Sequence, residues 1–298
     1  MSKLTFQSTS ASAKYHLIAV LTVGVWGTTF ISTKILIENG LSPQDIFFLR
    51  FLIAYLGIWL ISPRRLLANG WKDELLFLGA GLTGGTLYFL TENTALSLTQ
   101  TTNVAFLICT TPLLTTALAL LTRQQEKAGN MLVIGSVIAL LGVGLLIFNG
   151  SFVLKLSPMG DFLTVCAALS WAFYSLIIRK LSGRYSATFV ARKVFFYGLL
   201  TVLPAFLFHP FHFPLAGFAN PAVWMNLLFL SVLASLVCFA VWNVVLKQLG
   251  TIQASNYLYL NPLFTTLAAS LFLEEQITLY AIIGVGMVLG GVFIGAKH

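Results

Sequence analysis

Charged residues are scarce in this chain, since Asp, Glu, Lys and Arg make up only 9% of its 298 residues. Soluble domains average about 25%. A globule of this size needs many more charges to cover a water-facing surface. Hydrophobic residues reach 58%, and the mean hydropathy is +0.90. The shortage of charge excludes a soluble protein and predicts an integral membrane protein.

Cysteines and catalytic motifs are scarce too. Cys109, Cys166 and Cys238 all lie within apolar runs, and their spacing fits no metal or redox motif, so we expect them to be small core residues. The four histidines lie at the ends of apolar runs or in loops. No zinc-protease, serine-hydrolase or phosphate-loop motif occurs. We therefore expect no enzymatic activity, no metal and no cofactor.

The net charge of +8 does not indicate a nucleic-acid partner, because the basic residues form no continuous stripe. They separate ten apolar runs, each long enough to cross a bilayer as a helix of about 20 residues. The runs are too long for the strands of a β-barrel. The sequence thus predicts an all-α polytopic membrane protein with ten transmembrane helices. The runs cover approximately residues 15–37, 43–62, 74–96, 101–122, 128–148, 159–179, 187–208, 222–247, 251–273 and 277–295.

Basic residues also predict the orientation. Residues 1–14 have the composition of a polar tail. If this tail is cytoplasmic, twelve Lys and Arg residues fall on the inner side of the membrane and only Lys155 on the outer side. Cytoplasmic loops of membrane proteins carry such an excess of basic residues. Both termini are therefore predicted to be cytoplasmic.

The chain matches itself at an offset of about 150 residues. This match predicts two five-helix repeats, at residues 15–148 and 159–296. An odd number of crossings forces the second copy to enter the bilayer from the opposite side, so the repeats are expected to be inverted around a central cavity. The matched pairs include Phe89 with Phe239, Asn93 with Asn243, Leu96 with Leu246, Pro112 with Pro262 and, at an offset of 145, Trp26 with Trp171.

The chain resembles the EamA type of the drug/metabolite transporter superfamily. The resemblance rests on the two five-helix repeats, the Trp-Gly-Thr-Thr-Phe stretch at Trp26–Phe30, the paired Pro-Leu motifs and the Leu-Glu-Glu-Gln-Ile-Thr stretch at Leu273–Thr278. It implies a secondary transporter that exports a small organic metabolite, such as an amino acid or a related compound, across the plasma (inner) membrane of a prokaryote. Proton coupling and exchange both stay open. A membrane channel or passive facilitator is the alternative, although a channel needs a continuous wetted pore.

Glu92 is the one acidic residue well inside an apolar run, where a charge is costly enough to need an explanation. It is a candidate for proton coupling or for binding a substrate amine, and Tyr88 lies on the same helical face. The alternative is an ion pair with Arg50 or Lys34 near the end of the helix. Arg50 and Arg192, which begin the second and seventh runs, are candidate gates; the alternative for both is snorkelling to lipid headgroups.

Pro112 and Pro262 fall near the middle of the fourth and ninth runs. Each would free a backbone carbonyl, at Ile108 and Leu258, and we expect paired hinges that line a cavity. Ordinary membrane-helix prolines are the alternative.

Aromatic and amide side chains are unusually frequent in several runs, and they suit a cavity that binds an amphipathic small molecule. Helix packing through the same groups is the alternative. The candidates are Trp26, Thr29, Tyr88, Asn93, Trp171, Tyr174, Trp242, Asn243, Asn256, Tyr257 and Asn261. The glycine pairs Gly81/Gly85, Gly286/Gly290 and Gly291/Gly295 predict close helix packing, in a monomer or a weak homodimer.

Overall fold

The computed structural model describes residues 7–61, 67–99, 101–122, 129–148, 157–273 and 278–296. This part of the chain is helical and contains no strand. Nine of its helices are long and apolar enough to cross a membrane. We number the helical segments as α1 Gln7–Glu38, α2 Pro43–Ile61, α3 Trp71–Leu98, α4 Thr101–Ile108 with Thr111–Leu121, α5 Asn130–Phe148, α6 Pro158–Ser182, α7 Ala187–Phe208, α8 Pro221–Leu249, α9 Thr251–Asn256 with Tyr257–Leu260 and Asn261–Leu273, and α10 Leu279–Ala296.

The segment that the sequence predicted as a ninth span is helical but interrupted. It consists of an α-helix at Thr251–Asn256, a 3₁₀ turn at Tyr257–Leu260 and a second α-helix at Asn261–Leu273. None of these pieces has the length of about 20 residues that a bilayer needs. Residues 274–277 of the motif that closes this segment, and residues 1–6 of the predicted tail, lie outside the described residues.

The fourth helix carries a matching interruption between Ile108 and Thr111. Pro112 stands in the first turn of the helix after this break, and Pro262 stands in the first turn of the last piece of α9. Proline is well tolerated there, because the first turn of a helix leaves its N–H groups unpaired in any case. The prolines therefore begin new helices, whereas the sequence placed them near the middle of two continuous runs.

Two helices contain π-helical stretches at equivalent places. Residues Leu82–Leu87 of α3 and Phe229–Val237 of α8 are π-helical, and the two stretches overlap at the 150-residue offset. A π-helical stretch leaves carbonyl groups open to other donors. Trp26 Nε1 donates to a carbonyl of the stretch in α8 at 2.9 Å, and Ser170 Oγ donates to one in α3 at 2.7 Å. The first helix of each half is thus fixed to the third helix of the other half.

The last helices of the two halves, α5 and α10, pack tightly through glycines. A Cβ atom on Gly142 would lie 2.8 Å from the Gly284 carbonyl oxygen, and one on Gly135 would clash with Gly291. The lower-numbered glycine of α5 contacts the higher-numbered glycine of α10, so the two helices run antiparallel. Gly135 and Gly284 are equivalent at an offset of 149, as are Gly142 and Gly291. The contact is therefore reciprocal.

Other contacts between the halves also occur in matching pairs. Helix α1 packs on α8 and on the last piece of α9, while α6 packs on α3 and on the second piece of α4. Helix α2 packs on the π-helical stretch of α8, and α7 packs on that of α3. Within the halves, Lys34 Nζ donates to the Leu96 carbonyl at 3.0 Å, and Arg179 Nη1 donates to the Leu246 carbonyl at 3.2 Å.

A cluster of charged and phenolic side chains joins the start of α3 to the α6–α7 connection and the start of α7. Arg184 Nη1 lies 2.5 Å from Asp73 Oδ1, and Lys193 Nζ lies 2.7 Å from Glu74 Oε2. Tyr185 donates its hydroxyl to Asp73 Oδ2 at 2.6 Å. This cluster places those ends of α3, α6 and α7 on one face of the molecule.

Candidate functional site

A small cavity lies between the two halves, beside the π-helical stretches and the breaks in α4 and α9. Its volume is about 30 Å³, which is room for about two water molecules. Its walls come from α1, α2, α3 and α4 of the first half and from α6, α8 and α9 of the second. The lining residues are Trp26, Thr29, Phe30, Arg50, Tyr88, Phe89, Glu92, Ile108, Thr111, Trp171, Phe239, Leu258 and Asn261.

Aromatic rings form much of the cavity wall. Trp26 and Trp171 meet edge to face, with ring centroids 5.3 Å apart and an interplanar angle of 88°. Tyr88 lies 4.9 Å from Trp171, and Phe239 lies 6.0 Å from Trp26. Such contacts hold rings rigidly and favour edge-to-face geometry. The wall is therefore a fixed aromatic surface contributed by four helices.

Two buried charges of opposite sign face this cavity. Arg50 is 3% exposed and Glu92 is 5% exposed. Arg50 Nε donates to Ser235 Oγ at 2.5 Å, and its guanidinium lies 4.3 Å from the centre of the Phe89 ring. Glu92 Oε1 accepts a hydrogen bond of 2.7 Å from the Tyr88 hydroxyl. The two charges attract each other electrostatically, which offsets part of the cost of burying them.

Two residues that line the cavity each carry a buried polar atom with no partner among the described residues. These atoms are the Trp171 indole nitrogen and the Asn261 side-chain oxygen. Buried polar groups are nearly always hydrogen-bonded, so two such atoms beside a cavity need an explanation. Ile108 and Leu258, whose carbonyls the sequence predicted to be free, both line the cavity. Neither carbonyl is free, so this prediction was wrong. The Ile108 carbonyl accepts a hydrogen bond of 2.6 Å from Thr111 Oγ1, and the Leu258 carbonyl accepts one from the backbone N–H of Asn261.

Six of the eleven predicted cavity residues do not line this cavity, and three of them lie in the packed core. Tyr174 donates its hydroxyl to Asn243 Oδ1 at 3.0 Å. Trp242 is fully buried, and its ring packs on the Trp26 ring at a centroid distance of 5.1 Å. These contacts correspond to helix packing, which the sequence analysis gave as the alternative role of such side chains.

The other three residues outside the lining also pack against neighbouring segments. Asn93 Nδ2 donates to a backbone carbonyl at the start of α2 at 3.1 Å. Asn256 Nδ2 donates to the Val292 carbonyl of α10 at 3.2 Å, and Tyr257 bonds to His16 Nδ1 at 2.5 Å. Asn256 and Tyr257 precede the cavity-lining part of α9, so they face α10 and the start of α1.

Of the predicted gate and hinge residues, one lines the cavity and three do not. Arg50 lines the cavity, whereas Arg192 does not; it is 2% exposed, and its guanidinium lies 5.2 Å from the Phe189 ring centre. Both side chains are buried within the protein, so neither is at the surface that snorkelling to headgroups requires. Pro112 and Pro262 each adjoin a lining residue but do not line the cavity themselves.

Several lining residues were not predicted as site residues, namely Phe30, Phe89, Thr111 and Phe239. Phe89 and Phe239 are a matched pair of the internal repeat, which is the signal that could have identified them. Single phenylalanines in an apolar run otherwise have no distinguishing pattern. Among the described residues, no three His, Cys, Asp or Glu side chains come together as possible metal ligands.

Comparison with known proteins agrees with this architecture. The chain is 28% identical to a transporter of uncharacterized function from Archaeoglobus fulgidus over 95% of this chain and 97% of that protein. It is 26% identical to a protein of Escherichia coli K12 named a probable amino-acid metabolite efflux pump, over 95% of both chains. A crystal structure with 20% identity matches with a TM-score of 0.74 and covers 96% of each chain, which shows a shared fold.

The family match covers both halves separately. The model of the EamA-like transporter family matches residues 13–148 and again residues 158–295. Each match spans one set of five helical segments, α1–α5 or α6–α10. Together they cover nearly all of the described chain, and the protein is a polytopic membrane protein that belongs to the EamA-like transporter family.

Proposed function

We propose that this protein is a secondary transporter that exports a small organic metabolite, an amino acid or a related compound, by alternating access. The observation that carries the proposal is the cavity between the halves, which is lined by a buried cation, a buried carboxylate and several aromatic rings. Binding sites of transporters lie at such repeat interfaces. The name of the Escherichia coli relative supports amino-acid metabolites as the substrate class and export as the direction.

The proposed arrangement in the membrane is ten crossings in two inverted five-helix repeats, with both termini in the cytoplasm. The antiparallel packing of α5 on α10 supports the inversion, because these helices are equivalent members of the two repeats. The excess of Lys and Arg on one side supports the cytoplasmic termini. The interrupted α9 is the tenth crossing in this proposal, and bacterial and archaeal relatives support the plasma membrane as the location.

A change of shape follows from the size of the cavity. Free space for about two water molecules is too small for an amino acid. The site must therefore widen to admit substrate and then open toward one side at a time. The breaks in α4 and α9 and the π-helical stretches of α3 and α8 all adjoin lining residues. These irregular segments are where we expect the helices to bend.

Proton coupling through Glu92 and substrate exchange are the two proposed sources of energy. The test is uptake into proteoliposomes that contain the purified protein, with a panel of labelled amino acids and related metabolites. We expect saturable uptake that is accelerated by unlabelled substrate on the opposite side. Uptake that neither saturates nor shows this counterflow would identify a channel or passive facilitator instead.

A pH gradient tests Glu92 in the same vesicles. If Glu92 carries the proton, Glu92→Gln should abolish the response of uptake to the gradient, because an amide does not titrate in this range. Glu38→Gln is the matched control, since Glu38 is exposed at the end of α1. Equal pH dependence in wild type and Glu92→Gln would eliminate Glu92 as the proton carrier.

A further inference from the structure

We propose that the cavity recognises a dipolar ion, with Arg50 binding the anionic group of the substrate and Glu92 binding its cationic group. This inference rests on the proposed transport function and names the feature that selects the substrate. Neither a lone cation nor a lone anion would satisfy both protein charges.

The positions of the two charged groups support this assignment. Arg50 projects from α2 and is held by Ser235 of α8, while Glu92 projects from α3 and is held by Tyr88 one turn before it. Ser235 therefore positions Arg50 and Tyr88 positions Glu92, and neither contact depends on the attraction between the two charged groups. Both groups line the same cavity, so one small molecule can reach both.

Each group retains unused hydrogen-bonding capacity. Among the described residues, Ser235 is the single hydrogen-bond partner of the Arg50 guanidinium, and it uses only Nε. The terminal nitrogens are left to bind a carboxylate in the bidentate way that guanidinium favours. Glu92 Oε1 is engaged by Tyr88, and Oε2 has no donor within the described part of the chain. It can accept a hydrogen bond from an ammonium group.

Charge balance then selects the substrate. Arg50 and Glu92 are of opposite charge, are buried and line the same cavity. A dipolar ion offers each of them a group of the opposite charge, so the occupied site has no net charge. A solute with one charge leaves the opposite protein charge buried without a partner, and such an unpaired charge is strongly unfavourable.

The remaining lining groups suit the rest of such a substrate. The Tyr88 ring adjoins Glu92 and packs on the Trp171 ring, and aromatic faces stabilise ammonium groups. Trp171 and Asn261 also line the cavity, and each carries a polar atom that has no hydrogen-bond partner among the described residues. Phe30, Phe89 and Phe239 provide an apolar surface for a side chain.

The first test needs no mutation. Counterflow of each of the twenty standard amino acids identifies the best transported one in wild-type proteoliposomes. Its methyl ester, which is cationic, and its N-acetyl derivative, which is anionic, are then used as competitors. We expect each derivative to compete at least about tenfold more weakly than the parent amino acid.

The second test asks whether removal of one charge shifts the preference toward solutes of a single charge. In Glu92→Gln the N-acetyl derivative should compete more strongly relative to the parent amino acid, because Arg50 is then the remaining charged group of the site and favours an anion. In Arg50→Gln the methyl ester should compete more strongly relative to the parent, because Glu92 then favours a cation. A purely structural role would weaken all three competitors alike. Glu38→Gln and Lys247→Gln remove the same charges at exposed positions and should leave the competition ratios unchanged.

Three results would overturn the inference. If an amino acid and both derivatives compete equally in wild type, dipolar recognition is wrong while the transport function stands. Dipolar recognition is also wrong, and the transport function again stands, if the protein transports metabolites with a single charge but transports no amino acid. If nothing in the panel is transported, the proposed function fails together with the inference.

Discussion

Trp26 and Trp171 illustrate how equivalent residues of the two halves acquire different tasks. Both rings line the cavity, and they touch each other. The Trp26 indole N–H is hydrogen-bonded to the Ala234 carbonyl in the π-helical stretch of α8, whereas the Trp171 indole N–H has no partner among the described residues. The Trp26 nitrogen joins α1 to α8, and the Trp171 nitrogen makes no such connection within the described residues.

The same substitution should therefore have different effects at the two positions. Trp171→Phe keeps a ring but removes the unpaired donor, so we expect the half-saturation concentration for transport to rise about fivefold to tenfold, with a smaller loss of thermal stability than at Trp26. Trp26→Phe should instead destabilise the protein by about 1–2 kcal/mol, because the Ala234 carbonyl loses its donor. Counterflow and thermal unfolding in detergent measure the two effects. A larger loss of stability at Trp171 would contradict this division.

At the scale of the helices, close contact rather than side-chain chemistry joins α5 to α10. The glycines of this interface leave no room for a Cβ atom. Close approach of backbones is the usual basis of helix association in lipid, where water exclusion does not drive packing. Gly286 and Gly290 lie on the same helix but meet nothing within 4 Å of a Cβ atom. The small-residue pattern of α10 therefore contains both tightly packed and open positions.

Alanine substitutions distinguish these positions. Gly142→Ala places a Cβ atom 2.7 Å from Met287 Cβ and 2.8 Å from the Gly284 carbonyl oxygen, and overpacking of this kind costs about 1–3 kcal/mol. Gly286→Ala, in open space, should not destabilise the protein and should gain up to about 1 kcal/mol from helix propensity. Thermal unfolding of the two variants side by side measures the difference. Destabilisation at Gly286 would reveal a partner on that face, such as a second copy of the chain.

At the scale of the whole molecule, contacts between connections show which helix ends share a face. Asn220 donates its side-chain amide to Asn39 at 2.9 Å, which joins the start of α8 to the end of α1. Arg184 and Asp73 join the end of α6 to the start of α3. These pairings agree with the proposed inverted repeats, in which the first face is external and the second is cytoplasmic.

Labelling of introduced cysteines tests this sidedness. In a background with Cys109, Cys166 and Cys238 replaced by alanine, Ala216→Cys should react in intact cells with a thiol reagent that cannot cross the membrane. Gly183→Cys should react only after the membrane is opened. Both positions are exposed, so access depends on the side of the membrane. Reaction of Gly183→Cys in intact cells would contradict the proposed topology.

The sequence alone determined the class of protein, the approximate spans and the duplication. These features depend on local composition and on the register between two stretches of one chain. A helix in lipid needs about 20 apolar residues wherever it lies, so nine of the ten predicted runs appear as helices long enough to cross a membrane. Glu92, Trp26, Trp171 and Arg50 were predicted as site residues because charged and aromatic groups within apolar runs need an explanation, and all four line the cavity.

Only the tertiary structure decided which polar residues face the cavity. Asn261 lines it, whereas Asn256 and Tyr257, one turn earlier in the same segment, bond to α10 and α1. An amide that binds substrate and an amide that joins two helices look alike in a sequence, because both satisfy the same need for a partner in lipid. Close contacts and breaks in the backbone set the rotation of each helix. This rotation determines which polar side chains hydrogen-bond to protein and which face the cavity.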